Sequence, residues 1–594
     1  MLNLKNQTLT ISMGTLVFAL ILLSSFQSNF ANAEQSTDSN FAGKGKTAYS
    51  SHFPGIIIWT QVKGVDGTFV FHGLDDELVV LRTTLVPSVE CDQGLLCYDG
   101  TVNNAKNSQA IQVGDTFKLT IDTDAKDANI SFLSGFLENV DVKISLTKIK
   151  TKSSSSVITE TEAKSIAEQA FIYAYPMLEN YKTMYFFSIN NSTDEYKAPF
   201  NVITNVAQLF TPKDTTVISP NSDTLYSTII LDLRTEPIVI SVPDFNESRF
   251  YTFQLIDIYT HNFGYIGTRE TGSNAGNYLV VGPDWHGDTP KGINKVIQSE
   301  TNFVTVAGRT QVFGPDDIKN VIEIQKQYKV VPLSQFLGTQ APPPAPSIDF
   351  PVWSANKTYS TEFINYLNLF MTWGPIHPSE KELFANFSKI GIEPGKHVDL
   401  TVMDPSIHQA IEDGVQSGYQ KIKDKVPNLG KQVNGWTMIN AFGSREFYNQ
   451  DYLLRAAGAM FGIYANDLEE AAYPSAVIDE SGEPLDASKH NYVIKFKDGL
   501  PPAKAFWSVT MYDGKTQLLI ENPIDRYRLG STSELQKNQD GSVEIYIQHD
   551  TPQGHESNWL PAPNGPFYML MRIYLPEQAF LNGTWTPPAV EKIE

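Results

Sequence analysis

The sequence predicts a mainly β protein with helical insertions (α+β): an N-terminal β-sandwich followed by two larger β units linked by helices. Three observations carry this. Short runs of alternating apolar and polar residues recur along most of the chain, separated by Gly, Asn, Asp and Pro. Helical spacing of apolar residues is confined to a few stretches. A composition of 41% hydrophobic and 19% charged residues in 594 supplies several cores, and it excludes global disorder and coiled-coil architecture.

Residues 1–33 read as an export signal. Lys5 precedes an apolar stretch from Leu9 to Phe26, and Ala31-Asn32-Ala33 gives the small-x-small pattern of a cleavage site. The apolar stretch approaches bilayer-spanning length, so an uncleaved anchor is the other reading. The expected location is therefore extracellular or cell-envelope. Residues 34–47 are small and polar, a flexible leader. Cys91 and Cys97, the only cysteines, flank Gly94; in an exported chain such a pair is most simply a disulfide closing a small loop.

Within 48–150, runs such as Thr68-Phe-Val-Phe-His72 and Phe117-Lys-Leu-Thr-Ile121 recur at the spacing of a sandwich. Lys150–Ser156 is a linker. From Glu160 the period changes: Ala163, Ile166, Ala167, Ala170, Phe171 and Ala174 mark a helix expected to stop before Pro176. Strands resume after Pro199, and Pro315 opens a further helix. These elements make a β domain over 157–340. A region of Pro-rich linker and helices covers 341–480, and a last β domain covers 481–594.

Forty-five Lys and Arg against 66 Asp and Glu give a net charge of −21, which repels phosphate backbones and anionic lipid; no nucleic-acid partner is expected. No Gly-x-Ser-x-Gly elbow, His-Glu-x-x-His helix or Walker loop occurs. No cofactor and no metal site is expected, and His549 with His555 has loop spacing rather than that of a metal face.

The densest polar set lies between 219 and 272. In Ser219-Pro-Asn-Ser-Asp-Thr-Leu-Tyr226, Asn221 and Asp223 beside Pro220 favour a turn that bonds its own backbone and starts a strand. The sharper reading projects Asp223 into a cleft with Tyr226 beside it. Strand periodicity from Arg249 puts Tyr251, Phe253, Leu255, Asp257, Tyr259 and His261 on one face, polar enough to need a network or a cleft. If Asp223 and Asp257 faced each other, one would be held protonated and an acid–base pair would result. On the helix near 446–464, Asp451 and Arg455 have ion-pair spacing. The C-terminal aromatics, Phe506, Trp507, Tyr512, Trp559 and Trp585 among them, read as core, with a sugar-stacking face as the alternative.

Pro220-Asn-Ser-Asp-Thr-Leu-Tyr226, Gln254-Leu-Ile-Asp-Ile-Tyr-Thr260 and Gly267-Thr-Arg-Glu-Thr-Gly272 resemble the domain-of-unknown-function 1254 family. Phe506-Trp-Ser-Val-Thr-Met-Tyr512, Asn522-Pro523 with Arg526-Tyr527, and Asn558-Trp-Leu-Pro-Ala-Pro563 resemble the 1214 family. The resemblance spans about 160–594 and implies two β-sandwich or jelly-roll-like domains with helices between or around them. It implies no agreed reaction. His261 stands where the family is expected to carry Asn, which argues against a catalytic role for it; the 48–150 domain lies outside the resemblance.

The functional expectation is a metal-independent hydrolase or lyase acting on a small polar molecule. Asp223 and Asp257 are its acid/base residues, and Asn221, Tyr226, Tyr259 and Arg269 its binding residues. The alternative is a non-catalytic envelope or carbohydrate-binding module. The partner is accordingly a small polar ligand or a glycan, with self-association left open.

Overall fold

The computed structural model describes residues 158–593 except 215–218 and 246–247, and, ahead of them, the strands within 41–148. The signal segment and Cys91 lie outside the described residues, as does the Cys97 side chain. The chain divides into two compact units, 1–165 with 398–413 and 166–397 with 414–594.

In the first unit, eight antiparallel strands form one sheet. Phe41–Gly45, within the stretch read as leader, pairs with Asp141–Lys148. Every other strand from Ile58–Lys63 onward lies beside its chain neighbour, the order short turns impose.

The second unit holds two β-sandwiches. In the first, a five-stranded sheet runs in the order Asn262–Gly267, Tyr251–Asp257, Phe303–Gln311, Thr224–Asp232, Thr204–Asn205. It packs on a four-stranded sheet containing Ile238–Val242 and Gly276–Val281. Ile229, Leu231, Phe253, Leu255 and Val306 of the one sheet and Ile238, Ile240 and Val280 of the other share a core. In the second sandwich, Ala503–Asp513 and Phe567–Pro576 are central to a seven-stranded sheet that packs on a four-stranded one through Val509, Met571, Ile494 and Ile545. The mainly β, α+β architecture therefore stands. The Pro-rich segment lies back on the first sandwich, where Ala345 N–H donates to Thr235 and Arg234 to the Pro346 carbonyl.

Three local expectations are corrected. The helix Glu160–Met184 runs straight through Pro176 and ends in a π-helical turn, Tyr185–Ile189. Pro176 removes one helical hydrogen bond, but Tyr173, Met177, Leu178 and Tyr181 around it are fully buried, and that packing keeps the helix going. The strand after Arg249 ends at Asp257, where the chain reverses through Ile258–Thr260, so Tyr259 and His261 are not on its face. Helix 446–464 is broken: Arg445–Tyr448 and Tyr452–Gly462 are separated at Asn449 and Gln450, which have positive φ. Asp451 caps the second helix by accepting from Leu454 N–H and does not pair with Arg455.

No helix among the described residues is long and apolar enough to cross a membrane. The C-terminal rings are core: Phe506, Trp507, Tyr512 and Trp559 are each at most 4% exposed.

Candidate functional site

The structure separates the two acidic residues expected to work together. Asp223 immediately precedes the strand Thr224–Asp232, whereas Asp257 lies level with Leu231 through their shared partner Val304. Eight residues of strand rise put them about 25 Å apart along the sheet. The carboxylates therefore cannot share a proton. Their separation follows from strand register, which a single strand's sequence does not encode.

Asp223 is fully buried where the two sandwiches meet. Its backbone N–H is held by the Asn221 side chain at 2.8 Å, so the expected local turn is present. Its carboxylate reaches into the second sandwich: Arg528 Nε is 2.9 Å from Oδ1, and Ser508 donates to Oδ2 at 2.7 Å. Asn221 donates to the Tyr574 hydroxyl at 2.9 Å. Tyr226, half-buried on the same strand, has the Arg309 guanidinium 5.5 Å from its ring centroid. Asn221 thus supports Asp223 directly, whereas the contact of Tyr226 is with Arg309.

Arg269 belongs to neither acid. Its Nε lies 2.6 Å from buried Glu470, and its Nη1 is 3.1 Å from Glu270. Arg249, the other guanidinium weighed for Asp257, pairs with Asp317 at 2.6 Å.

Asp257 and Tyr259 form the second constellation, with His261. Both Asp257 oxygens are engaged by this one residue: Oδ1 accepts the His261 backbone N–H at 2.9 Å, and Oδ2 lies 3.1 Å from the ring Nδ1. The tight turn that makes this possible places Thr260 at φ 69°. A left-handed conformation at a β-branched residue costs about 1–2 kcal/mol. The Tyr259 and Tyr448 rings flank the imidazole at 5.6 and 5.8 Å. Desolvation, reinforced by the charges of Glu380 and Asp257, holds the Tyr259 hydroxyl far above its ordinary pKa, so it stays a phenol.

Three further residues complete this site. Glu300, with 36% of its side chain exposed, forms the solvent edge. Arg445 bridges it to buried Glu380, with Nη2–Glu300 at 2.6 Å and Nη1–Glu380 at 2.7 Å. Burial works against the Arg445 charge, and the two carboxylates outweigh it, so the guanidinium is held firmly protonated. Glu380 also accepts from the Tyr173 and Tyr452 hydroxyls. One ligand atom each of Asp257, His261 and Glu300 lies within 4.8 Å of the others, a spacing that could hold a divalent cation. The guanidinium on Glu300 already neutralises one of those donors.

His261 is legible in the sequence as part of a polar face but not as catalytic, and Glu300, Glu380 and Arg445 were not anticipated. The Asp257-x-x-x-His261 spacing was a signal, outweighed by the departure from the family pattern at His261. Glu300 on a loop, Glu380 at the end of a 3-10 turn and Arg445 at the start of a short helix are remote in sequence, and no local pattern links them.

The two family-like regions are now placed. Residues 200–332 match the profile described as protein of unknown function (DUF1254), and residues 470–578 match that of DUF1214. The resemblance read from the motifs is thus borne out: the first region falls in the first sandwich, the second in the other. Among solved structures, the chain is similar to the VPA0106 protein from Vibrio parahaemolyticus at 25% identity and TM-score 0.60; the match covers 73% of this chain and 100% of that one. An uncharacterized protein from Burkholderia cenocepacia matches at 12% identity and TM-score 0.36 over 73% of this chain and 94% of its own. No curated protein matches the chain.

Proposed function

We propose that the chain is an exported hydrolase or lyase that acts on a small polar molecule, with His261 as acid/base and Asp257 as the residue that orients it. The observation that carries this reading is the double engagement of Asp257 by His261. With Nδ1–H donated to the carboxylate, the Nε2 lone pair is the free basic site. Nε2 takes a proton from water or from a substrate hydroxyl or C–H. Asp257 stabilises the imidazolium so formed, and the proton returns from Nε2 to the leaving group.

The strained turn at Thr260 supports the assignment, because conformations of that cost persist where they hold a functional side chain in place. The Arg445 bridge to Glu300 and Glu380 forms a rigid wall beside the dyad. Because Arg445 compensates Glu300, the proton transfers at the dyad call on no metal. The dyad replaces the expected Asp223–Asp257 pair; Asp223 serves the junction between the sandwiches. The rival carbohydrate-binding reading draws on aromatic faces, and the C-terminal rings are mostly committed to the core.

Assay of the purified chain on a panel of esters and glycosides tests this. His261→Ala and Asp257→Asn are expected to lower turnover about 10²–10⁴-fold with an unchanged circular dichroism spectrum. Turnover indifferent to both substitutions ends the proposal. Export is tested separately: protein recovered from the envelope or medium should begin at Glu34.

A further inference from the structure

The turn that joins Asp257 to His261 runs through buried backbone: Asp257, Ile258 and Tyr259 are each at most 2% exposed. A buried carbonyl without a donor is costly, so the partners of these three show what holds the turn. The turn itself supplies Thr260 N–H to the Asp257 carbonyl at 3.1 Å. Side chains from distant elements hold all three carbonyls.

Asn180, on the helix Glu160–Met184 and itself 2% exposed, donates through Nδ2 to the Asp257 carbonyl at 2.7 Å and to the Ile258 carbonyl at 3.3 Å. Its Oδ1 accepts from the Thr305 hydroxyl at 3.0 Å and from the Tyr464 hydroxyl at 2.8 Å. Carbonyl oxygens only accept, so the amide is fixed in one orientation, with both N–H groups and both lone pairs used. Arg455 donates to the Tyr259 carbonyl at 3.1 Å and to the Tyr173 carbonyl, on the same helix as Asn180, at 2.7 Å. Thr301 accepts the Ile258 N–H at 3.1 Å and donates to the Phe303 carbonyl at 2.8 Å. Two bulky residues with positive φ meet at the Asn180 amide. One is Thr260, whose N–H shares the Asp257 carbonyl with it, and the other is Tyr464, at φ 69°, whose hydroxyl donates to it. Such backbone persists where the surroundings over-determine it, often at functional sites.

We infer that Asn180 is a positioning residue of the dyad. It fixes the carbonyls of Asp257 and Ile258, and through them the angle at which the Asp257 carboxylate receives His261. The inference rests on the dyad reading and adds what holds the dyad in place. The carboxylate meets His261 twice, at the backbone N–H at 2.9 Å and at the ring Nδ1 at 3.1 Å. The first contact belongs to the turn. The second lies beyond two side-chain torsions, so it is the one lost when the turn relaxes and the rest of the fold stays. A base displaced in this way loses turnover rather than substrate affinity.

The test is nuclear magnetic resonance of the full chain carrying isotope-labelled histidine, alongside kinetics on the best substrate of the ester and glycoside panel. A hydrogen-bonded Nδ1–H exchanges slowly and gives a downfield proton resonance, assigned by its absence in His261→Ala. Asn180→Leu, close to the parent in shape, is expected to lose this resonance. It should lower kcat about 10–100-fold and leave KM within about two-fold of the parent. Thr305→Val removes a partner of the same amide without touching the turn; it should melt lower yet keep the resonance and kcat. Asn180→Ser, smaller and still polar, repeats the test if the leucine chain does not fold. A folded Asn180 variant with the parental resonance and kcat overturns the inference, as does a Thr305→Val chain that loses the resonance as fully. A parent chain without the resonance defeats the dyad reading and this inference with it, whereas a parent that has it beside unaffected Asn180 variants defeats this inference alone.

Discussion

Asp479 shows how a single buried side chain sets a pH response. It is fully buried, with Lys592 Nζ at 2.9 Å from Oδ2 and Oδ1 accepting from the Ser481 hydroxyl and from the backbone N–H groups of Ser481 and Glu483. Burial pushes its carboxyl upward, but these hydrogen bonds outweigh burial and hold it at about 2, below the ordinary 3.8. A carboxyl whose pKa is depressed on folding stabilises the fold above its unfolded value, and that stability is lost as pH falls through the folded value. Urea midpoints of the parent should therefore drop between pH 4 and 2 more steeply than those of Asp479→Asn. Parallel acid limbs would show that Asp479 contributes nothing. At the same scale, the strain at Thr260 predicts that Thr260→Gly leaves stability equal or raised by up to about 1 kcal/mol. It should also lower turnover, because the looser turn no longer fixes His261 against Asp257; thermal denaturation alongside kinetics separates the two effects.

At the scale of elements, the loops that bring Glu300 to the dyad are held by close backbone approach. Asn302 N–H donates to the Trp373 carbonyl at 2.6 Å, and a Cβ added at Gly374 would collide with the Glu300 carbonyl. Gly374→Ala is therefore expected to cost about 1–3 kcal/mol and to displace Glu300, with the melting temperature and turnover falling together. A variant with parental stability and turnover would show that this contact is slack. Sequence patterns located most elements here and misjudged several of their ends. Period-two alternation identified the strand at Tyr251–Asp257, yet it continued the pattern into Tyr259 and His261, because a hairpin reversal made of Ile, Tyr and Thr carries no Gly or Pro to announce it. Pro176 misled in the opposite direction. Its cost is local, whereas the burial of Tyr173, Tyr181 and their neighbours that offsets it is tertiary.

At the scale of the molecule, Asp223 is the joint between the sandwiches. Its carboxylate belongs to the first and its partners Ser508, Arg528 and Tyr574 to the second. Removing one member of a buried ion pair leaves the other uncompensated, at a cost of about 3–5 kcal/mol. The parent should unfold both sandwiches in one calorimetric transition, and Asp223→Ala should lower stability by that amount. Two separated transitions in the parent chain would contradict a joint of this strength.

The sequence by itself determined the β-rich class, the two family-like regions and the turn that joins Asn221 to Asp223, because alternation, turn chemistry and a contiguous motif are local properties. Only the tertiary structure decided which acid meets which base. Register set Asp223 and Asp257 at opposite ends of one sheet, and hairpin closure joined Asp257 to His261. Long-range packing brought Glu300, Glu380 and Arg445 around that pair. Pairings of this kind depend on where distant strands are aligned, which no short window of residues contains.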